Sequence, residues 1–275
     1  MVMIRGLLPF FLIWLATIGG TLAQERVLTV AATTSIEDSG LFASILPKFK
    51  EHTGITVRVL SRSSALALVA GQRGHVDVMM VNDPGALDRF VDAGHGVKRH
   101  RVMFNDFVIV GPPPDPAGVR DSKDAAAALR AIASARARFV SRGDESGTHV
   151  AEQRVWNLAG INPKLRSGNW YLEVGLGMGA TLEMASRTSA YCFTDRATWL
   201  ALKDRIDLAL IRDGDPRLFN QYEVVLVNPD KYGGANGGDG STFIDWLVSD
   251  EGQAAIATYQ VGGQQTFFPN AKPQN

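Results

Sequence analysis

From Val27 onward, short apolar runs alternate with segments in which apolar positions recur every three or four residues. Val27 to Ala32 reads as a buried strand, and Leu41, Phe42, Ile45, Leu46 and Phe49 then recur at helical spacing until Gly54 supplies a stop. Pro47 lies inside that pattern and predicts a kink. Ile55, Val57 and Val59 alternate as a second strand, Ala65 to Arg73 forms a helix ended by Gly74, and Val76 to Val81 is a third strand. Strands and helices alternating at this length predict parallel sheets with helices on both faces.

Phe107 to Gly111 is a further apolar strand, and the stiff Pro112-Pro113-Pro114-Asp115-Pro116 segment after it is a natural lobe junction. The pattern then restarts with an Ala-rich helix after Ser122, a strand at Arg138 to Val140 and a helix from Thr148 to Ala159 closed by Gly160. Strands at Trp170 to Val174, Ala190 to Thr194 and Val224 to Val227 follow, and one amphipathic helix runs from about Thr242 to Tyr259. The expected fold is α/β with two lobes, the C-terminal segment returning to the first: residues 24–107 plus 222–275, and residues 108–221.

Ahead of this pattern lie Arg5, an apolar run from Leu7 to Ile18, and Thr21-Leu22-Ala23. The run is too short to span a bilayer, so residues 1–23 are expected to be a cleaved signal peptide rather than an anchor, which places the protein in the periplasm. Without Arg5, the 28 basic and 28 acidic residues become 27 and 28, a balance that argues against nucleic acid or an anionic membrane surface as partner. Cys192 is the only cysteine, which excludes an internal disulfide and a thiolate-rich metal site. The five His are not spaced to hold a metal, and Gly237-Gly238-Asp239 occurs once rather than as a calcium-binding repeat. No cofactor is expected, and the protein is expected to be a monomer.

Candidate chemistry gathers where strands give way to helices. Four such junctions are built from Thr, Ser and Gly: Thr33-Thr34-Ser35, Ser61-Arg62-Ser63-Ser64, Ser141 to Thr148, and Gly175 to Thr181. Small hydroxylated residues there offer hydroxyls, close backbone approach and the unpaired amides of a helix start, which together can hold an anion. Any one of these junctions could be an ordinary helix cap; two in each expected lobe point to a shared ligand between them.

The third junction carries the most information. Arg142 stands four residues before Ser146-Gly147-Thr148, giving a forked cation beside two hydroxyls and the first amides of a helix, with Asp144 placed to lock the guanidinium. Asp83, near the expected cleft, could accept a proton from hydrogen phosphate but would repel an unprotonated dianion.

At this point the chain resembles a known family. Thr33-Thr34-Ser35, Asp38-Ser39-Gly40-Leu41, Val81-Asn82-Asp83-Pro84, Asn105-Asp106-Phe107-Val108-Ile109-Val110-Gly111-Pro112, Ser141 to His149, Gly177 to Leu182, Thr194-Asp195-Arg196 and Val227-Asn228-Pro229 are similar to the tungstate-binding periplasmic proteins of tungstate ABC transporters. The resemblance implies a two-lobed type II periplasmic-binding-protein fold, each lobe a mostly parallel sheet flanked by helices, that captures tungstate or molybdate and delivers it to a permease in the inner membrane. Ligand-binding residues are then expected at Thr33, Thr34, Ser35, Ser63, Ser64, Arg142, Ser146, Gly147, Thr148, Ala180 and Thr181. The chain departs from the family pattern at Ser63-Ser64, where Gly is common, and at Asn82, where His is frequent. The Arg-x-Asp-x-Ser-Gly-Thr pattern is also similar to that of phosphate-binding relatives, which leaves another tetrahedral oxyanion as the alternative.

Two enzyme readings compete. Gly175-Leu176-Gly177-Met178-Gly179-Ala180 after a strand, with Asp195 further on, formally matches a nicotinamide-cofactor fingerprint. Ser146 near His149 suggests a serine hydrolase only weakly, since Gly143 to Gly147 is not the G-x-S-x-G elbow.

Overall fold

The computed structural model describes residues 25–271 apart from Ser167, so the expected signal peptide at residues 1–23 lies outside the described residues. In chain order the elements are β1 (Val27–Thr33), α1 (Thr34–Asp38), α2 (Leu41–Thr53), β2 (Thr56–Arg62), α3 (Ser64–Gln72), β3 (Val78–Val81), α4 (Pro84–Asp92) and β4 (Gly96–Gly111). After these come α5 (Ala125–Ala135), β5 (Phe139–Ser141), α6 (Gly147–Leu158), β6 (Tyr171–Glu173), α7 (Met178–Arg187), β7 (Tyr191–Asp195), α8 (Arg196–Leu202) and β8 (Ala209–Arg212). The chain closes with β9 (Phe219–Val227), α9 (Gly237–Val248), α10 (Asp250–Ala257), β10 (Gln260–Val261), β11 (Gln264–Gln265) and β12 (Phe268–Pro269).

The main strands lie in the order β2-β1-β3-β9-β4-β7-β5-β6. In the first lobe β1 pairs in parallel with β2 and β3; in the second, β5 pairs in parallel with β6 and β7. Parallel strands need a crossover, and the helices between them supply it. The antiparallel strands β4 and β9 join the two sets: β4 pairs with β9 from Gly96 to Asp106 and with β7 from Phe107 onward. The exchange of partners thus falls inside β4, before the proline segment expected to mark it. That segment instead folds into the second lobe, where Asp115 accepts from Tyr191 Oη at 2.6 Å.

Two further expectations are corrected, and a third element is continuous. Strands β4 and β9 are longer than their apolar runs because they continue through polar residues such as Asn105, Asn220, Gln221 and Glu223, all of them buried. The single C-terminal helix is two: Ser249 is extended and its hydroxyl accepts from Gly252 N, capping α10 where α9 ends. Helix α2 runs through Pro47 without a break, its buried face of Leu41, Phe42, Ile45 and Phe49 packed into the first lobe's core. That packing outweighs the one backbone bond a proline forfeits.

Each lobe has its own core. Leu28, Val30, Phe42, Val224 and Phe243 belong to the first, and Phe107, Phe139, Trp156, Tyr171 and Phe193 to the second. Two solid cores fix the ends of β1 and β5, and the strand-to-helix turns at those ends carry the candidate site residues. No helix among the described residues is long and apolar enough to cross a membrane.

Candidate functional site

Strand β1 is buried from Leu28 to Thr33 and delivers Thr33-Thr34-Ser35 to the start of α1. Beside it in parallel register, Thr33 lies opposite Arg62 of β2, which leads into Ser63 and Ser64 at the start of α3. From the other lobe, β5 delivers Arg142, and α6 begins at Gly147. The two sides touch: Gly147 N donates to Ser64 Oγ at 3.2 Å, and Met178 N donates to Thr34 Oγ1 at 3.1 Å. Gly147 is a contact that only glycine allows, because a Cβ there would stand 2.3 Å from Asn82 Oδ1 and 2.4 Å from the Asn82 carbonyl. A cleft of about 520 Å³ opens beside these contacts, lined from the first lobe by Thr34, Arg62 and Ser63 and from the second by Gly143, Asp144 and Gly177.

The chemistry of the junction lies in what is left unpaired. Arg142 is 1% exposed. Its Nη2 donates to Asp144 Oδ2 at 2.6 Å, and Asp144 Oδ1 accepts from Ser146 N, so the guanidinium is locked in place. Arg142 Nε and Nη1 have no partner at all, and neither do the buried hydroxyls of Thr33 and Thr148. Ser35 Oγ has the Asp195 carboxylate near it but no hydrogen bond of normal geometry. Buried donors are almost always satisfied, and a buried charge without compensation is costlier still. Arg142 and Thr148 from the second lobe and Thr33 from the first thus hold buried donors without partners, chemistry that suits an acceptor-rich guest carrying negative charge. The helix starts of α1 and α6 add their partial positive charge to it.

Other expected residues take different roles. Ser63 Oγ caps α3 by accepting from Leu66 N, and Ser146 Oγ caps α6 by accepting from His149 N. Ser64 Oγ is spent between Gly147 N and Asn82 Oδ1. The fourth junction lines the cleft through Gly175, Leu176 and Gly177, but its two expected residues turn elsewhere. Ala180 is exposed, and Thr181 Oγ1 donates to Gly177 O at 2.8 Å within its own helix. The leading amides of α7 already donate to Thr34 and to Asp38 Oδ2. Asp83 caps α4 by accepting from Ala86 N at 3.0 Å.

Both enzyme readings are corrected by geometry. Asp195, the residue a nicotinamide ribose would need, is fully buried and accepts from Thr198 N and Thr198 Oγ1 as the cap of α8. Strand β5 also lies between β6 and β7, so no adjacent strand pair frames Gly175 to Ala180. Ser146 Oγ meets only the backbone of His149, whose Nδ1 accepts from Glu145 N at 3.1 Å, so no base faces the hydroxyl. Burial, helped by Lys164, pushes the His149 imidazole down from its ordinary pKa.

Sequence reasoning missed a buried line of amides behind the site. Asn82 Nδ2 donates to Asn220 Oδ1 at 3.0 Å, and Asn220 Nδ2 donates to Asn105 Oδ1 at 2.7 Å. The three residues come from β4, β9 and the turn after β3, and no local motif joins them; polar residues inside two strands were the available signal.

Known proteins carry the same plan. The sequence matches the PBP superfamily domain over residues 19–251. It is 40% identical over 246 residues to the tungstate-binding protein TupA of Peptoclostridium acidaminophilum, covering 88% of this chain and 85% of the relative. Among solved structures, that of the tungstate ABC transporter from Geobacter sulfurreducens superposes with a TM-score of 0.79 at 42% identity, over 86% of this chain and 99% of the other. The tungstate-binding protein TupA of Desulfovibrio alaskensis G20 superposes with a TM-score of 0.74 at 38% identity, over 90% and 100% of the two chains. The chain belongs to the PBP superfamily and, within it, to the family that contains the tungstate-binding TupA proteins.

Proposed function

We propose that this protein is the periplasmic solute-binding component of an ABC importer, that it captures tungstate between its lobes, and that it hands the anion to a membrane permease without catalysing a reaction. Molybdate, with the same charge and shape, is a second ligand of the same hollow. The binding residues are Thr33, Ser35, Arg142 and Thr148, with the amides at the start of α6 beside them. The lobes, residues 24–107 plus 222–275 and residues 108–221, turn on β4 and β9.

One observation carries this reading: a fully buried guanidinium holds two donor nitrogens open, and the buried hydroxyls of Thr33 and Thr148 at the facing strand-to-helix turns are open too. A tetrahedral dianion supplies the missing acceptors and charge together, as an apolar solute or a cation would not. An unprotonated dianion is favoured over hydrogen phosphate, because Asp83 holds one oxygen on the cap of α4 and Asp144 spends both oxygens on Arg142 and Ser146. Titration calorimetry against tungstate, molybdate, sulfate and phosphate tests the proposal. Tungstate or molybdate is expected to bind at least about a hundredfold tighter than the other two, a difference of roughly 2.7 kcal/mol. Equal or tighter binding of phosphate overturns it.

A further inference from the structure

We infer that His149 is a positioning residue for the oxyanion site: its Nδ1 lone pair holds the backbone of Glu145, and through it the turn that carries Arg142, Asp144 and Ser146. This rests on the oxyanion reading above and adds to it a residue that acts through others.

The turn from Arg142 to Ser146 needs such a hold. Gly143 and Glu145 both stand at positive φ, 61° and 55°. Glycine adopts that conformation freely, but a residue with a Cβ keeps it only where its surroundings impose it. Here Glu145 N donates to His149 Nδ1 at 3.1 Å. Asp144 and Ser146 flank Glu145, and the Asp144 carboxylate spans the turn, accepting from Ser146 N on one oxygen and from Arg142 Nη2 on the other. The start of the turn is pinned separately, since Gly175 N donates to Arg142 O at 2.7 Å. A Glu145 that left its left-handed conformation would carry Ser146 away from Asp144, and one carboxylate could no longer hold the helix start and the guanidinium together.

The ring's protonation decides whether the hold exists. A backbone N–H only donates, so Nδ1 is bare and the imidazole proton sits on Nε2. His149 is 4% exposed, and its Nε2 lies 3.7 Å from Glu173 Oε1 of β6. A second proton would set an N–H at Nδ1 against the N–H of Glu145, donor against donor. Asp144 and Glu145 of the turn and Glu173 of β6 favour the charged ring, while burial and Lys164, in the turn before β6, oppose it and prevail, so the imidazole is held below its ordinary pKa. Arg154 of α6 borders the surface groove beside the ring. Affinity that depends on this hold is full where the ring is neutral and is lost as pH falls through the depressed pKa.

The test is calorimetry with tungstate on the parent chain, His149→Ala and His149→Asn from about pH 8 to about pH 5, at anion concentrations low enough to keep the oxyanion monomeric. Asparagine puts Oδ1 where Nδ1 stands, an acceptor that takes up no proton in this range, and alanine offers none. At about pH 8, His149→Ala is expected to bind about tenfold more weakly, the upper end of the scale for one lost hydrogen bond, and His149→Asn to recover affinity to within about twofold of the parent. On acidification the parent is expected to lose about tenfold more affinity than the Asn variant does. A merely structural role would lower melting temperatures without separating those two pH profiles. An Asn variant as weak as the Ala variant, or parallel pH profiles in parent and Asn variant, overturns the inference. If the Ala variant fails to fold, the two pH profiles decide. A parent chain that binds no tungstate at any pH overturns the oxyanion reading, and this inference with it.

Discussion

Two buried polar clusters lie side by side in the second lobe, and they are opposites. Ser141 and Arg142 are neighbours on the chain, and Thr148 and Glu152 stand one turn apart on α6. Yet Ser141 and Glu152 belong to a saturated cluster: the Glu152 carboxylate accepts from Ser141 Oγ at 2.7 Å, Tyr171 Oη at 2.8 Å, Trp156 Nε1 at 3.1 Å and Gln153 Nε2 at 3.3 Å. Arg142 and Thr148, by contrast, keep donors open. The first cluster is internal structure, fastening β5, α6 and β6 to one another. The second is complete only with a guest. Burial alone therefore does not mark a binding site.

The sharpest way to break this contrast is Arg142→Ala. It is expected to cost about 2–5 kcal/mol of tungstate binding, the range for losing a buried charge partner, and, because it leaves Asp144 without its ion-pair partner, a smaller loss of stability in the unliganded protein. Calorimetry paired with a thermal melt reads both. A stability loss without an affinity loss would make Arg142 a structural residue like Glu152.

The second concerns pH. Burial pushes the Glu152 carboxyl up to about 7, against the hydrogen bonds from Ser141, Tyr171 and Trp156 that hold it down. A carboxyl raised in the folded state takes up its proton more readily there than in the unfolded chain, so its contribution to stability is full below the ordinary carboxyl range and is lost as pH rises through about 7. The melting temperature without ligand is expected to fall from pH 5 to pH 8, and Glu152→Gln is expected to flatten that fall. A parallel slope in parent and variant would assign the pH dependence elsewhere.

The smallest effects separate true hollow residues from neighbours. Thr148→Ala is expected to cost on the order of 1–2 kcal/mol of binding, the loss of one neutral donor. Ala180→Ser, on the exposed face of α7, is expected to leave affinity unchanged within the error of calorimetry. A gain from the added hydroxyl would bring Ala180 back into the site.

What could be read in advance follows from how local each signal was. The alternation of strands and helices and the lock of Arg142 by Asp144 lie within a few residues of one another, and periodicity or spacing exposed them, whereas Ser63 and Ser146, expected to bind ligand, use their hydroxyls to cap α3 and α6. Gly175 to Thr181 has the composition of an anion loop, while the use of its leading amides is decided by Thr34 and Asp38, more than 140 positions away. The amide line from Asn82 to Asn105 was hidden for the same reason, since its links span 138 and 115 positions. Ser249 broke the C-terminal helix through a capping bond that the apolar pattern on either side does not record.

The bare Cα of Gly147 against Asn82 has a mechanical consequence. The lobes meet there with the main chain of Gly147 against both the side-chain amide and the carbonyl of Asn82, with no methyl group of clearance, so further closing is arrested where they touch. Such a stop makes the hollow a gauge of fixed bore. An anion too large props the jaws apart, and one too small rattles, because the walls cannot follow it inward. Sulfate, carrying the same charge as tungstate on a smaller frame, would then be turned away by slack rather than by repulsion, and a shim one carbon thick at position 147 would reset the bore for every anion at once.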